Sequence, residues 1–380
     1  MPNLKNIYAD HSATSFPKNK SAIEAMQNYL FSVEGNPQRS FAYESSEMIF
    51  EARENIASFI GKNVDSSEVI FTSGATMSAN MAIFGILKEG DHVVVSSMEH
   101  NAVIRPLLHL KKTKNINLEI LEFKNGHLDV EKFKNAITPQ TKMAICMHGS
   151  NVTGEVFDIK SISQAKQNSI FVCDTAQTAG HIDIDPDKLG VDILFFSGHK
   201  GTEAPFGIGV LYKRKGIEIE PLIYGGTGFL SESEDMPNSY PEKLEAGTCN
   251  AHSIVALSKA VEELKNNGLQ QEKLQKFADI FVEEISKIKG IKIFSGHNNK
   301  IYLPTISITS DKITCSDMTF LLKQKYNITT RAGLHCSPLA HKSINTFPQG
   351  GTTRISFGRT NTEEDVIYVA KAVKEIVTEM

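Results

Sequence analysis

The residues best suited to chemistry stand where apolar runs end. Phe195-Phe196-Ser197-Gly198-His199-Lys200-Gly201 closes one such run with Ser, His and Lys. Lysine is rarely buried without a partner, and taken alone Lys200 reads more simply as a snorkelling surface side chain. A desolvated lysine with a lowered pKa is, however, what Schiff-base chemistry needs. Asp174-Thr175-Ala176-Gln177 follows a second run, placing Asp174 at a strand terminus with Gln177 one turn on. A buried aspartate facing a pyridine nitrogen keeps that nitrogen protonated and makes the ring an electron sink. Thr72-Ser73-Gly74-Ala75-Thr76, ahead of an apolar helical stretch, offers free N–H groups and hydroxyls at a helix N-terminus. Such a terminus can cradle a phosphate, although small residues there often serve only as caps.

These segments need a framework. Short apolar runs end in polar residues again and again: Val69–Phe71, His92–Val95, Met143–Met147, Ile170–Cys173, Ile193–Phe196 and Ile208–Tyr212. Runs of this length separated by helical stretches read as buried strands of a mostly parallel sheet, whose carboxyl ends are the usual ligand site. Residues 21–60 carry a helical pattern, with Ala22, Ala25, Met26, Tyr29 and Leu30 on one face. A long helical pattern follows Ser253, and beyond Lys289 the strands and helices become shorter. The reading is an α/β protein in two domains. A large domain spans residues 15–255, and a smaller α+β domain spans 256–380 together with 1–14. A chain of 380 residues exceeds what one hydrophobic core usually fills.

Composition narrows the function classes. With 41% apolar and 22% charged residues the chain is globular, neither disordered nor fibrous. A net charge of −4 gives no reason to expect nucleic acid, and Lys111-Lys112-Thr113-Lys114 reads as a solvated loop. No apolar stretch is long enough for a membrane helix, and the first residues lack the pattern of a secretory signal. Five cysteines without a CxxC pair argue against a disulfide framework and for a reducing, cytoplasmic setting. No metal site is expected, because His335, Cys336 and His341, even with Cys146 and His148, match no zinc spacing. Cys146 and Cys173 lie inside apolar runs and read as small core residues. Cys249 and Cys315 have no assigned role. Cys336 differs, lying in Arg331-Ala332-Gly333-Leu334-His335-Cys336-Ser337-Pro338, a loop that can expose and stabilise a thiolate.

Taken together, and almost from end to end, these motifs resemble the cysteine desulfurase and selenocysteine lyase branch of the class V, fold-type I pyridoxal-phosphate enzymes. The motifs occur in the family's order, from Tyr8-Ala9-Asp10 to Asn361-Thr362. The resemblance implies covalent attachment of pyridoxal 5′-phosphate at Lys200, Asp174 on the pyridine nitrogen and Gln177 on the ring-hydroxyl side. It implies Ala75, Thr76, Ser197 and His199 around the phosphate, and His100 stacked on the ring as a further catalytic residue. Asn151 is expected near cofactor and substrate, and Thr248 on the phosphate of a neighbouring subunit, so a homodimer is implied. Arg354 matches the arginine that grips the amino-acid carboxylate, a task suited to a guanidinium fork; a surface salt bridge is the plainer alternative. The loop carrying Cys336 resembles the short catalytic loop of the group II desulfurases.

The implied reaction converts L-cysteine to L-alanine and leaves the sulfur as a persulfide on Cys336, for transfer to an acceptor protein. L-selenocysteine is the near rival substrate. An aminotransferase or racemase would keep Lys200 and Asp174 but have no use for Cys336. A cofactor-binding scaffold without turnover would require a missing catalytic residue, and none is missing. Four positions depart from the family pattern: His11, Gln38, Glu203 and Arg359. Glu203 is the least expected, beside a site built for an anion.

Overall fold

The structure is a computed structural model that describes residues 5–37 and 43–380; Gln38, one of the four departures, lies outside them. Among the described residues, thirteen strands form three sheets. They are β1 (Ile7–Tyr8), β2 (Val69–Thr72), β3 (His92–Ser96), β4 (Asn117–Leu121), β5 (Thr141–Ile145), β6 (Ile170–Asp174), β7 (Ile193–Ser197), β8 (Gly209–Lys213), β9 (Ile291–Phe294), β10 (Thr305–Ser310), β11 (Ile328–Thr329), β12 (Arg331–Gly333) and β13 (Thr352–Ser356). The helices are α1 (Lys20–Ser32), α2 (Tyr43–Ile60), α3 (Ala75–Ile86), α4 (Asn101–Thr113), α5 (Val130–Ala136), α6 (Ile159–Ser163), α7 (Pro186–Leu189), α8 (Ala251–Asn267), α9 (Gln271–Ser286), α10 (Cys315–Tyr326), α11 (Pro338–Ser343) and α12 (Glu363–Glu379).

The large sheet has the order β2-β8-β7-β6-β5-β3-β4 and is parallel except for β8, which runs against both neighbours. Its central strands are apolar on both faces because helices cover both. Phe195 and Val172 face a core shared with Ala79 and Ala82 of α3 and Leu107 of α4. Leu194, Phe196 and Phe171 face the opposite core, with Ile56 of α2 and Leu257 and Ala260 of α8. Period-2 alternation thus survives inside an unbroken apolar run. The pairing Asp174↔Phe195 sets the carboxyl ends of β6 and β7 side by side, bringing Asp174 and the His199-Lys200 turn to one edge.

The second sheet, β12-β13-β10-β9, is antiparallel and packs against α9 and α12 through Phe277, Phe281, Val369 and Val373. The N-terminal strand β1 joins this half of the molecule, pairing in parallel with β11 through Ile7↔Ile328. The chain then crosses back to the large sheet's carboxyl edge.

Two local expectations change. The helical pattern over 21–60 is two helices, interrupted after Ser32 where Gly35-Asn36-Pro37 cannot continue a helix. Leu30, expected on the buried face, is 55% exposed. Strand β4 escaped the apolar pattern because it lies at the sheet edge, with only Leu118 and Leu121 buried.

Candidate active site

A cleft of about 220 Å³ opens at the carboxyl edge of the large sheet. It gathers Lys200, Asp174, Gln177, Ala75, Thr76, His100, Asn151, Ser197, His199 and Arg354, residues separated by up to 279 positions and delivered by the ends of β6 and β7, the turns after β5, β6 and β7, by β13 and by the N-termini of α3 and α4. Thr248 and Cys336 are outside its lining. Thr248 is exposed at a second cavity of about 230 Å³, beside Cys249 and Ile223. Cys336 is exposed on a loop whose neighbours Arg331 and His335 do line the first cleft.

The electrostatics favour an anion. Lys200, Arg331 and Arg354 line the cleft, against the single carboxylate of Asp174. Burial lowers the Lys200 amine below its ordinary basicity; Asp174 opposes this, while Arg354 and Arg331 add to it. Burial raises the Asp174 carboxyl, opposed by the Ala176 N–H at 2.8 Å and by Lys200. Helix α3 begins at Gly74, which offers no side-chain cap, so the N-terminal donors after Ala75 are left for a ligand. Gly74 has φ +153°, and a Cβ on the facing Gly209 would meet its backbone at 2.5 Å. Ser197 Oγ accepts the Ala75 N–H at 3.0 Å, which leaves its own proton free to donate. A cationic cleft with a helix N-terminus, a low-basicity lysine and a buried aspartate has the donor set that pyridoxal phosphate needs.

His100 caps α4, its Nδ1 accepting the Ala102 N–H at 3.0 Å, so the proton of the neutral ring sits on Nε2. Burial, then the nearby Lys200 and Arg331, pushes its pKa down to about 4. Gln177 Nε2 donates to the Ser12 carbonyl at 3.0 Å, tying the N-terminal segment to the cleft wall. Arg354 is 1% exposed. Its Nη2 meets Asp10 Oδ1 at 2.7 Å, its Nη1 meets the Asn151 carbonyl at 3.0 Å, and its buried Nε has no partner. The plainer reading of Arg354 as a surface salt bridge does not hold: the ion pair exists, but in the protein interior.

Asn151 brackets the cysteine. Its amide donates to the His335 carbonyl at 2.7 Å and accepts from Ser337 Oγ at 2.9 Å, holding both flanks of Cys336. His335 and Cys336 have φ of +48° and +60°, a left-handed pair uncommon outside glycine. Arg331 Nη2 points at Cys336 Sγ, 3.6 Å away.

Sequence reasoning gave no role to Arg331, His335, Ser12 or Glu99. Arg331 could have been found from its place five residues before the loop cysteine. Glu99, next to His100, is fully buried and pushed up to about 8 by burial; its Oε1 accepts from Ser96 Oγ and the Met147 N–H.

The fold and the cleft define an α/β enzyme of the lysine-based cofactor type. The chain belongs to the aminotransferase class-V family, whose profile matches residues 7–369. It is 33% identical to a cysteine desulfurase IscS from Methanosarcina thermophila, over 99% of this chain and 93% of that one. It is 30% identical to a probable cysteine desulfurase from Methanothermobacter thermautotrophicus, over 98% and 94%. Among solved structures it is similar to an apo cysteine desulfurase from Thermococcus onnurineus, with a TM-score of 0.91, 28% identity and coverage of 99% and 95%. It also resembles the cysteine desulfurase CsdA from Escherichia coli, with a TM-score of 0.87, 28% identity and the same coverage.

Proposed function

We propose that this chain is a pyridoxal-phosphate-dependent cysteine desulfurase that converts L-cysteine to L-alanine and keeps the sulfur as a persulfide on Cys336. The observation that carries this reading is the exposed Cys336 on a loop whose Arg331 and His335 line the Lys200 cleft. An aminotransferase or racemase gives such a thiol no work.

Bound at Lys200, pyridoxal phosphate would act as the electron sink for charge at the substrate α-carbon. Asp174 would hold the ring-nitrogen proton, and the α3 terminus with Thr76, Ser197 and His199 would hold the phosphate. Arg354 receives the substrate carboxylate. Once the substrate's amino group displaced it from the cofactor, the Lys200 amine would be free to take the α-proton, a task that the lowering of its basicity by burial favours. Cys336 thiolate attacks the substrate sulfur, so that an S–S bond forms as the C–S bond breaks. The electrons of the broken bond stay with carbon, which gains a proton and leaves as alanine. Cysteine plus thiol thus balances alanine plus persulfide with no outside oxidant or reductant. Arg331 Nη2, 3.6 Å from Cys336 Sγ, faces the attacking sulfur.

Exposure of Cys336 also supports onward transfer to the thiol of an acceptor protein. A second copy of the chain is the proposed cover for Phe206, Ile223 and Tyr224, exposed by 62%, 45% and 69%; Ile223 and Thr248 share one cavity, so Thr248 would reach the partner's phosphate. All five cysteines are free, which supports a cytoplasmic setting, and among the described residues no helix is long and apolar enough to cross a membrane. The division between domains is proposed to fall at Gly268 rather than 255, because Ile254–Val261 of α8 pack in the large-sheet core.

The test is product analysis on the cofactor-loaded protein with L-cysteine, after borohydride trapping has located the cofactor. Alanine is expected, with sulfide released from the Cys336 persulfide once a reducing thiol is added, and an adduct at Lys200 in the trapped sample. A keto acid or D-cysteine as product would overturn the reading.

A further inference from the structure

Three of the residues that set this sequence apart from the family pattern meet in one place. Arg359 follows β13, Glu203 lies three residues after Lys200, and His11 follows β1. Arg359 Nη1 bonds Glu203 Oε1 at 2.9 Å, and the two side chains are only 9% and 15% exposed. A Cβ on Gly358 would strike the His11 ring, so His11 packs directly on the backbone beside Arg359. Burial and then Arg359 push the His11 pKa down to about 4, which leaves its ring neutral. The unexpected acid beside an anion-binding cleft is therefore not a free charge, because it has an arginine of its own.

What this pair touches gives it a purpose. The same Arg359 Nη1 donates to the Gly201 carbonyl at 2.9 Å, and Nη2 donates to the Gly180 carbonyl. Those backbones nearly touch: a Cβ on Gly201 would meet the Ala179 carbonyl at 2.3 Å, and one on Gly180 the Gly201 carbonyl at 2.3 Å. On the other side of Lys200, the His199 carbonyl receives Lys18 Nζ at 2.8 Å, the Ser15 N–H at 3.0 Å, Thr14 Oγ1 at 3.0 Å and Ser15 Oγ at 3.1 Å. One carbonyl offers two lone pairs, so the ammonium and the backbone donor carry most of this contact. The Lys200 carbonyl itself takes the Glu203 N–H at 2.8 Å, and Glu203 holds φ +59° to do so. The Glu203 carbonyl in turn accepts the Asn19 N–H at 3.0 Å, and the Glu203 charge opposes the lowering of Lys18 by burial.

We propose that Lys18 and Arg359, with Glu203 as their shared counter-ion, are positioning residues that grip the backbone on both sides of Lys200 and set how its amine enters the cleft. The grip joins three distant parts of the chain: the N-terminal crossing, the turn after β7 and the exit of β13. This rests on the reading of Lys200 as the cofactor-bearing lysine. Packing alone would not require charged donors on both the preceding and the following carbonyl.

The experiment compares Arg359→Met, Arg359→Lys and Lys18→Met with wild type. In the cofactor-free protein, hydrogen exchange at the Glu203 amide reads the grip directly. Loss of one charged hydrogen bond is expected to speed it by about tenfold in Arg359→Met and Lys18→Met. In the loaded enzyme, kcat for alanine release is expected to fall by about tenfold with KM within about twofold. The pH at which the cofactor–lysine absorbance changes is expected to shift. Arg359→Lys, which keeps the charge facing Glu203 but not the two-carbonyl reach, is expected to recover part of kcat. A lower melting temperature with unchanged kcat, pH profile and Glu203 exchange would overturn the proposal and leave Arg359 a stability residue. If wild type carries no adduct at Lys200, the functional reading fails, while the exchange data still decide whether the grip exists.

Discussion

Replacing Arg354 by Gln separates its two possible duties, since the structure shows one and the mechanism requires the other. Its guanidinium already engages Asp10 through Nη2 and the Asn151 carbonyl through Nη1, while Nε is buried without a partner. Removing the cation leaves Asp10 facing a neutral amide; breaking a buried pair by losing one member costs about 3–5 kcal/mol of stability. If Arg354 also holds the substrate carboxylate, a charge-assisted hydrogen bond is lost in the complex as well, worth about 1.5–3 kcal/mol. At 1.4 kcal/mol per decade that is a rise in KM of about 10- to 150-fold. The carboxylate is gripped alike before and during the chemistry, so kcat should stay within about threefold. The assay is initial alanine release against L-cysteine concentration, at a low temperature where circular dichroism shows both proteins folded and with cofactor content matched. An unchanged KM beside a lowered melting temperature would refute the assignment. Arg354 would then serve Asp10 and Asn151 alone, with Arg331 the remaining arginine in the cleft.

Three further outcomes follow from the site. Glu99 is pushed up to about 8 from an ordinary value near 4.5, mainly by burial. Between those limits the folded chain keeps a proton the unfolded chain has lost, so this group's stabilising contribution declines as pH rises, by up to about 1.4 kcal/mol per unit. Glu99→Gln should therefore gain in melting temperature over wild type from pH 5 to pH 8, and parallel curves would contradict the burial argument. Iodoacetamide should modify exposed Cys336 before Cys146 and Cys173, whose thiols burial raises well above the ordinary value. Arg331→Met should slow that modification by about two- to fivefold, and mass spectrometry of the peptides reads both. Tyr224→Glu should shift the molecule from dimer to monomer in light scattering, because it charges the exposed apolar face beside Ile223; a wild-type monomer would remove the proposed partner.

How much was legible from the chain follows physical lines. Strands β5 to β7 were plain because burial on both faces leaves an unbroken apolar run, and their polar ends already pointed to Asp174 and Lys200. The edge strand β4 was not, since half-exposed residues dilute the pattern. The break after Ser32 was masked by helical periodicity continuing on both sides of Gly35-Asn36-Pro37. At the site, residues that meet a ligand by type were readable, whereas those acting through others were not. Asn151 is an example: the family resemblance placed its amide near cofactor and substrate, but its contacts are the flanks of Cys336, 184 and 186 positions away. Arg359 and Glu203 looked like unrelated oddities because an ion pair across 156 positions has no local signature.

The central claim is that Cys336 takes the sulfur. It is tested most directly by alanine release from L-cysteine, comparing wild type with Cys336→Ala at equal cofactor occupancy. Turnover by wild type with none above background in the variant is the predicted result. Equal turnover by both would show that Cys336 is not the nucleophile.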